Sequence, residues 1–292
     1  MLEAVKKRFD FRPGAGFVET GLDGVRFFWS TQPVERAPLI YNAGIVIILQ
    51  GSKMGWLGDH VFTYDPQQYL VLTVPLPFDC ATCASPEEPL LGLFIDFSRV
   101  DIAEIIAAQG DSTARARSDA LAVAPARVEP EMADATRRLL SALSSDITSK
   151  VLGPGIVREI TFCALNGPHG DALRALAGKD THLARLSAVI AGMRQNYTHT
   201  LRVDDLAQDA GMSPALFFRS FKTVTGISPH QYIKMTRLHR AKGMILAEGL
   251  SVTDAARRVG FESVPHFSRE FKKVFKVSPK AAQMSGYTPI DV

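Results

Sequence analysis

From Val25 to Phe97 the apolar residues fall in short runs: "VRFFWSTQP" (25–33), "AGIVIILQG" (43–51), "HVFTYDPQQYLVLTV" (60–74) and "LLGLFIDF" (90–97). The runs are β-branched and aromatic, and turn signals such as "LDG", "GSKMGWLGD" and "YDP" divide them. This spacing predicts antiparallel strands in a sandwich or barrel over residues 17–97. After Ser98 the period changes. In "RVDIAEIIAAQ", "EPEMADATRRLLSALSS", "DALRALAG" and "HLARLSAVIAGMRQNYTH" the apolar positions recur three and four apart, which predicts amphipathic helices. Pro154, Pro168 and Gly170 read as punctuation between them. "RRLLSALSSDI" has a face that suits either helix pairing or covering the barrel.

Near the C-terminus one pattern is written twice. With Leu201 set against Leu250, Val203 matches Val252, Ala207 matches Ala256 and Gly211 matches Gly260, a shift of 49. Beyond the glycine the shift is 50: Phe221 matches Phe271 and Pro229 matches Pro279. Each copy predicts helix, turn, helix. The turn glycine can take positive φ, and Ser213-Pro214 or Ser263 caps the second helix. Ser228-Pro229 and Ser278-Pro279 repeat that cap at the next helix start. Leu216 and Phe221 are expected to pack inward in the first unit, and Phe267 and Phe271 in the second. The stretch "HQYIKMTRLHRAKGMILAEG" reads as one continuous helix of roughly 28 Å at ~1.5 Å per residue. A rod of that length suits two groove-reading helices set about one DNA turn, ~34 Å, apart. The rival reading is a helical scaffold repeat, but solenoids stack three or more units and this chain has two.

Charge sharpens the division. The 292 residues carry a net +3, yet residues 182–292 hold 16 Lys+Arg against 8 Asp+Glu, and residues 1–181 hold 17 against 22. A basic end beside an acidic remainder suggests one part for a polyanion and another for something else. The longest aliphatic run, "IVIIL", is too short to cross a bilayer, so no membrane association is expected. The charged start "MLEAVKKRFDFRPG" lacks an apolar signal core, and Cys80, Cys83 and Cys163 are too few for a disulfide framework. Both observations point to a cytoplasmic protein.

The segment "DLAQDAGMSPALFFRSFKTVTGISPHQYIKMTRLHRAKGMIL…VTDAARRVGFESVPHFSREFKKVFKVSPK" resembles the DNA-binding domain of the AraC/XylS transcription regulators over residues 183–285, including the one-residue insertion. "PLIYNAGIVIILQGSKMGWLGDHVFTYDPQQYLVLTVPLPFDCATCASPEEPLLGLFIDFS" resembles the ligand-sensing domain of an AraC-type subgroup over roughly 17–110. The resemblance implies an α+β chain. A cupin-like β-barrel with flanking helices would occupy 1–181, for effector binding and dimerisation. An all-α domain would occupy 182–292, with helix-turn-helix units at 201–226 and 250–276 joined by the long helix. It implies base-facing positions at Ala215, Phe218 and Arg219, and at Val264, Pro265, His266 and Arg269. Arg219 and Arg269 can donate two bonds to guanine, whereas Ala215 and Phe218 offer only apolar contact, as with a thymine methyl. Longer polar side chains fill those two positions in familiar members. Phe218 can alternatively be packing. Phosphate contacts are expected from Lys222, Arg237, Arg240, Lys272, Lys273 and Lys276.

Effector-lining candidates in the barrel are Phe27 and Trp29, which share a strand face, with Trp56, Tyr64 and Tyr69; each can equally be core. The single histidine between 17 and 97, His60, cannot build the His/His/Glu/His cluster of enzymatic cupins. No metal, cofactor or catalytic activity is therefore expected. "CATC" invites a redox reading, but residues three apart on a strand point to opposite faces. The expected partners are double-stranded DNA, an unidentified small effector, RNA polymerase and a second copy of the chain. A cupin-type enzyme tethered to DNA and a ligand-independent DNA binder remain alternatives.

Overall fold

The computed structural model describes residues 2–110, 122–178 and 181–285. Helix α1 (Leu2–Arg8) leads into nine strands: β1 (Ala15–Glu19), β2 (Val25–Ser30), β3 (Val34–Tyr41), β4 (Gly44–Gln50), β5 (Ser52–Leu57), β6 (His60–Tyr64), β7 (Gln68–Leu72), β8 (Leu76–Cys83) and β9 (Leu90–Asp96). Helix α2 (Arg99–Ala108) precedes β10 (Val123–Arg127), and α3 (Pro130–Ala142), α4 (Asp146–Asn166) and α5 (Gly170–Ala177) follow. The helical end comprises α6 (His182–Gln195), α7 (Val203–Asp209), α8 (Pro214–Thr225), α9 (Pro229–Leu246), α10 (Val252–Arg258), α11 (Val264–Phe275) and α12 (Pro279–Ser285).

The strands form two antiparallel sheets, one ordered β1-β2-β9-β4-β7-β10 and the other β3-β8-β5-β6. Side-chain alternation along the six-stranded sheet splits its residues between two cores. Phe28, Val46, Ile48, Leu70 and Phe94 turn inward and meet Leu39, Tyr41, Leu57, Tyr64 and Phe78 of the other sheet. Phe27, Trp29, Ile45, Ile47, Leu91 and Leu93 turn outward and are covered by Ile102 of α2, Leu139 of α3, Ile160 of α4 and Leu173 of α5. The expected cupin-like barrel takes the form of two facing antiparallel sheets with a helical layer on one of them. The α3 face containing Leu139 and Leu140 covers that sheet.

Two readings of the sequence need correction, and one strand falls outside the runs read as strands. "GSKMGWLGD" is not a turn throughout, because Ser52–Leu57 is strand β5. Gly55 stands opposite Phe62 in β6, where a Cβ would come within 2.4 Å of the Phe62 ring. A strand glycine here makes room for an aromatic neighbour and does not signal a reversal. "VERAPLIY" forms β3 despite Pro38, since β3 is an edge strand and needs no ladder bond from that nitrogen. Pro154 does not end a helix: α4 runs through it, packed along α3.

Candidate nucleic-acid interface

Both repeated units fold as helix, turn, helix. Gly211 and Gly260 hold φ of 61° and 84°, values that favour glycine at the turn. Ser213 and Ser263 cap α8 and α11, accepting from the backbone N–H of Leu216 and His266 at 3.3 Å each. The inserted residue lies between Gly260 and α11, as the shift of the repeat requires. Serine caps recur at α9, where Ser228 and Gln231 form a reciprocal capping box, and at α12, where Ser278 accepts from Ala281.

The second helix of each unit stands on an aromatic ladder. In α8, Phe217 and Phe221 are buried with ring centroids 5.6 Å apart, and Tyr232 of α9 meets Phe221 edge-on at 5.6 Å. In α11, Phe267, Phe271 and Phe275 descend at 5.6 and 4.6 Å. Phe217 takes the inward place expected of Leu216, which is only partly buried. With these rings below, the opposite face of each helix is left to solvent. Ala215, Phe218, Arg219 and Lys222 are exposed on α8, and Pro265, His266, Arg269, Lys272 and Lys273 on α11. Val264 is half-buried at the first turn of α11. Phe218 keeps 43% of its surface.

The remaining predicted phosphate contacts have structural ties. Arg237 donates to the carbonyls of Tyr197 at 2.6 Å, His199 at 2.9 Å and Gly260 at 3.4 Å. It fastens α9 to the loop before α7 and to the turn of the second unit, and burial draws its pKa down. Arg240 is exposed with its guanidinium 5.9 Å from the Tyr197 ring. Lys276 is the left-handed C-cap of α11, with φ 63°, and donates to the Lys273 carbonyl at 3.1 Å. Lys273 also lines a cleft between the second unit and the barrel, beside a Lys234–Glu270 ion pair of 2.5 Å. That lysine holds the Glu270 carboxyl below its usual range.

Residues 21–172 match the AraC-type transcriptional regulator N-terminus family, and residues 206–284 match a helix-turn-helix domain family. The chain belongs to the AraC-type transcriptional regulators. Among curated AraC-type relatives, the virulence regulon transcriptional activator VirF of Yersinia enterocolitica is 24% identical over 90% of this chain and 97% of its own length. The HTH-type transcriptional activator RhaS of Escherichia coli is 31% identical over 33% of this chain and 35% of RhaS. The crystal structure of unsaturated fatty acid bound ToxT from Vibrio cholerae has the same fold, with a TM-score of 0.59 and 11% identity over 94% of this chain and 98% of that one. This AraC-type chain is a DNA-binding transcription regulator.

At the barrel the five effector candidates separate. Phe27, Trp29 and Tyr69 lie on the outer face of the six-stranded sheet, under the helical layer, and cannot line the interior. Trp56 lies on the outer face of the four-stranded sheet, beneath the Arg36 guanidinium at 4.7 Å. Tyr64 alone of the five faces the interior, fully buried, with its hydroxyl 2.9 Å from that of Tyr41. Sequence reasoning missed Lys53, which is 2% exposed and donates to Tyr41 Oη at 2.7 Å. Cys80 is buried and Cys83 exposed on opposite faces of β8, and both are free thiols. His60 stands exposed at the start of β6. Among the described residues no group of three or more His, Cys, Asp or Glu is placed to hold a metal ion, and no helix is long and apolar enough to cross a membrane.

Proposed function

We propose that this AraC-type regulator reads two successive major grooves with α8 and α11, and that a small effector bound inside the barrel governs that reading. The observation that carries the first part is the duplicated helix-turn-helix, each copy presenting a basic row opposite its aromatic ladder. Helix α9, with 18 residues, is a rod of about 27 Å between the units. Arg219 and Arg269 are the guanine readers. Ala215, Phe218, Val264, Pro265 and His266 shape the contact, and Lys222, Lys272, Lys273 and Arg240 meet phosphates.

For the second part, the barrel core continues without a break into the first DNA-binding unit, from Phe28 and Tyr64 to Phe217, Phe221 and Tyr232. A ligand that repacks the barrel therefore acts directly on that unit, by differential affinity for two arrangements. The ToxT neighbour was solved with an unsaturated fatty acid, which supports a ligand-holding role for this fold. Dimerisation is supported by an apolar row on α4, where Ile147 and Val151 are 77% and 71% exposed. A dimer would raise avidity for paired sites.

An operator selected from random DNA with the full chain tests the reading. Arg269→Ala should cost about 1–3 kcal/mol on that operator and relax one base position. Lys222→Ala should weaken operator and random DNA alike and flatten the salt slope. Equal losses on both DNAs for Arg269→Ala would refute base reading by α11.

A further inference from the structure

Lys53 is the second residue of β5 and points between the sheets, where it is 2% exposed. The groups around it come from four strands: Phe28 of β2, Tyr41 of β3, Tyr64 of β6 and Cys80 of β8. Its Nζ lies 5.9 Å from the Phe28 ring and 5.3 Å from the Tyr41 ring, and donates to Tyr41 Oη at 2.7 Å. From there hydroxyls continue the chain. Tyr41 Oη and Tyr64 Oη are 2.9 Å apart, and Tyr64 Oη is 3.4 Å from Cys80 Sγ. Lys53 takes part in no ion pair among the described residues.

An ammonium buried among rings and phenols, with no counter-charge, is poorly placed. Burial draws the Lys53 pKa down, and drives the Tyr64 and Cys80 pKa values up, so the neighbours stay neutral and supply no anion. As packing alone, methionine fills the same space at lower cost. What the amine adds is a cation available when an anion arrives.

The position is also next to a surface depression. Lys53 pairs across the ladder with Tyr64 on one side and Thr82 on the other. One residue further along those strands, Ser52, Asp65 and Cys83 line an open depression of about 510 Å³ with Gly51, Pro66 and Ser85. The core between the sheets also holds the apolar Val46, Ile48, Leu57 and Phe78. Leu57, four residues along β5, packs against Gly226 at the junction of α8 and α9.

We propose that Lys53, with the hydroxyls of Tyr41 and Tyr64, anchors the effector's head group, and that the effector is a small apolar molecule bearing one carboxylate. This rests on the reading that the barrel holds an effector. The acid enters by the Ser52–Asp65 end, its carboxylate takes the lysine charge and the two phenol donors, and its apolar body displaces side chains toward Leu57. The first DNA-binding unit then feels the change through Gly226.

Thermal unfolding of the full-length chain tests this, with unbranched carboxylates from acetate to dodecanoate as probes, each matched by its primary amide. At least one acid should raise Tm by about 3–5 °C at saturation, and its amide should not. Lys53→Met should fold with a Tm at or above that of the unsubstituted chain and lose the shift. An amide that works as well as its acid, or an acid shift that survives in Lys53→Met, overturns the anion anchor and leaves a ligand-binding barrel standing. No shift with any acid or amide overturns both. Should Lys53→Met fail to fold, the Cε resonance of Lys53 in lysine-labelled protein decides. A stabilising acid that pairs with the amine must move that resonance, and an unmoved resonance overturns the anchor.

Discussion

Phe218 exposes 43% of its surface in the middle of α8, on the face away from Phe217 and Phe221. Its neighbours on that face are Ala215, Arg219 and Lys222, so the row offers two apolar groups and two cations. In a major groove the apolar partner for such a pair is a thymine methyl. Replacing one dT of the selected operator by dU removes a single methyl. At about 0.8 kcal/mol per buried carbon, binding should fall roughly fourfold at the position Phe218 covers. Phe218→Ala should abolish that difference, and a dU penalty unchanged in Phe218→Ala would remove Phe218 from readout. How legible such positions are depends on what the pattern can encode. The two exposed rows follow from the repeat, because the buried rings recur 50 residues apart. The barrel interior did not follow, because "SKMGWL" misleads on hydropathy. Met54 and Trp56 look like the core face, yet Lys53, Gly55 and Leu57 turn inward. Nothing local reveals that Gly55 is there to admit Phe62, or that a lysine fills the interior.

At the level of elements, α8 and α11 end alike and are made unlike. Gly226 caps α8 with φ 73°, and Lys276, 50 residues on, caps α11 with φ 63°. Left-handed backbone costs an L-residue about 1–2 kcal/mol, and glycine nearly nothing. Part of that gain is offset by the larger chain entropy of an unfolded glycine. Lys276→Gly should therefore stabilise the protein by about 0.5–1 kcal/mol, read as a higher midpoint in urea with an unchanged slope. A lower midpoint would mean that the Lys276 stem, or its bond to the Lys273 carbonyl, contributes more than the strain removes. The same variant reports on DNA, since a phosphate contact by Lys276 would disappear with the side chain and reduce the salt slope by about one unit. Elements of this helical end were readable because caps, turn glycines and apolar period agree in both copies. In the sandwich they disagree: β3 contains Pro38 and β8 contains Pro77, and only their places in the sheet excuse them. The first lies on an edge strand, and the second lies beyond the last residue paired with β5.

Taken as a whole, the molecule joins its halves unequally. The first DNA-binding unit, with α6 and the start of α9, shares a core with the barrel, and three further ties hold these elements there. Tyr232 Oη donates to the Pro75 carbonyl at 2.9 Å, Arg194 donates to Asn42 at 2.8 Å, and Gly226 abuts Leu57. The second unit has its own core around Phe267, Phe271 and Leu238, and meets the barrel along the cleft containing Lys273. On the proposed effector reading, a signal from the barrel reaches the first unit through this shared core and the second through α9. The contact at Gly226 makes this measurable. A Cβ there would come within 2.8 Å of Leu57 Cδ1 and would also take a left-handed φ. Gly226→Ala should cost about 1–3 kcal/mol, the sum of backbone strain and collision. Leu57→Ala opens space and should relieve the collision but not the strain. If the domains dock as described, the double variant should lose about 1 kcal/mol less than the two single losses combined. Strict additivity would mean that Leu57 and Gly226 do not touch in solution, and that the barrel addresses the DNA-binding units by another route. Repeating the cycle with operator DNA bound turns it into a gauge of regulation, because a coupling that disappears on DNA identifies this contact as one the regulator releases in order to bind.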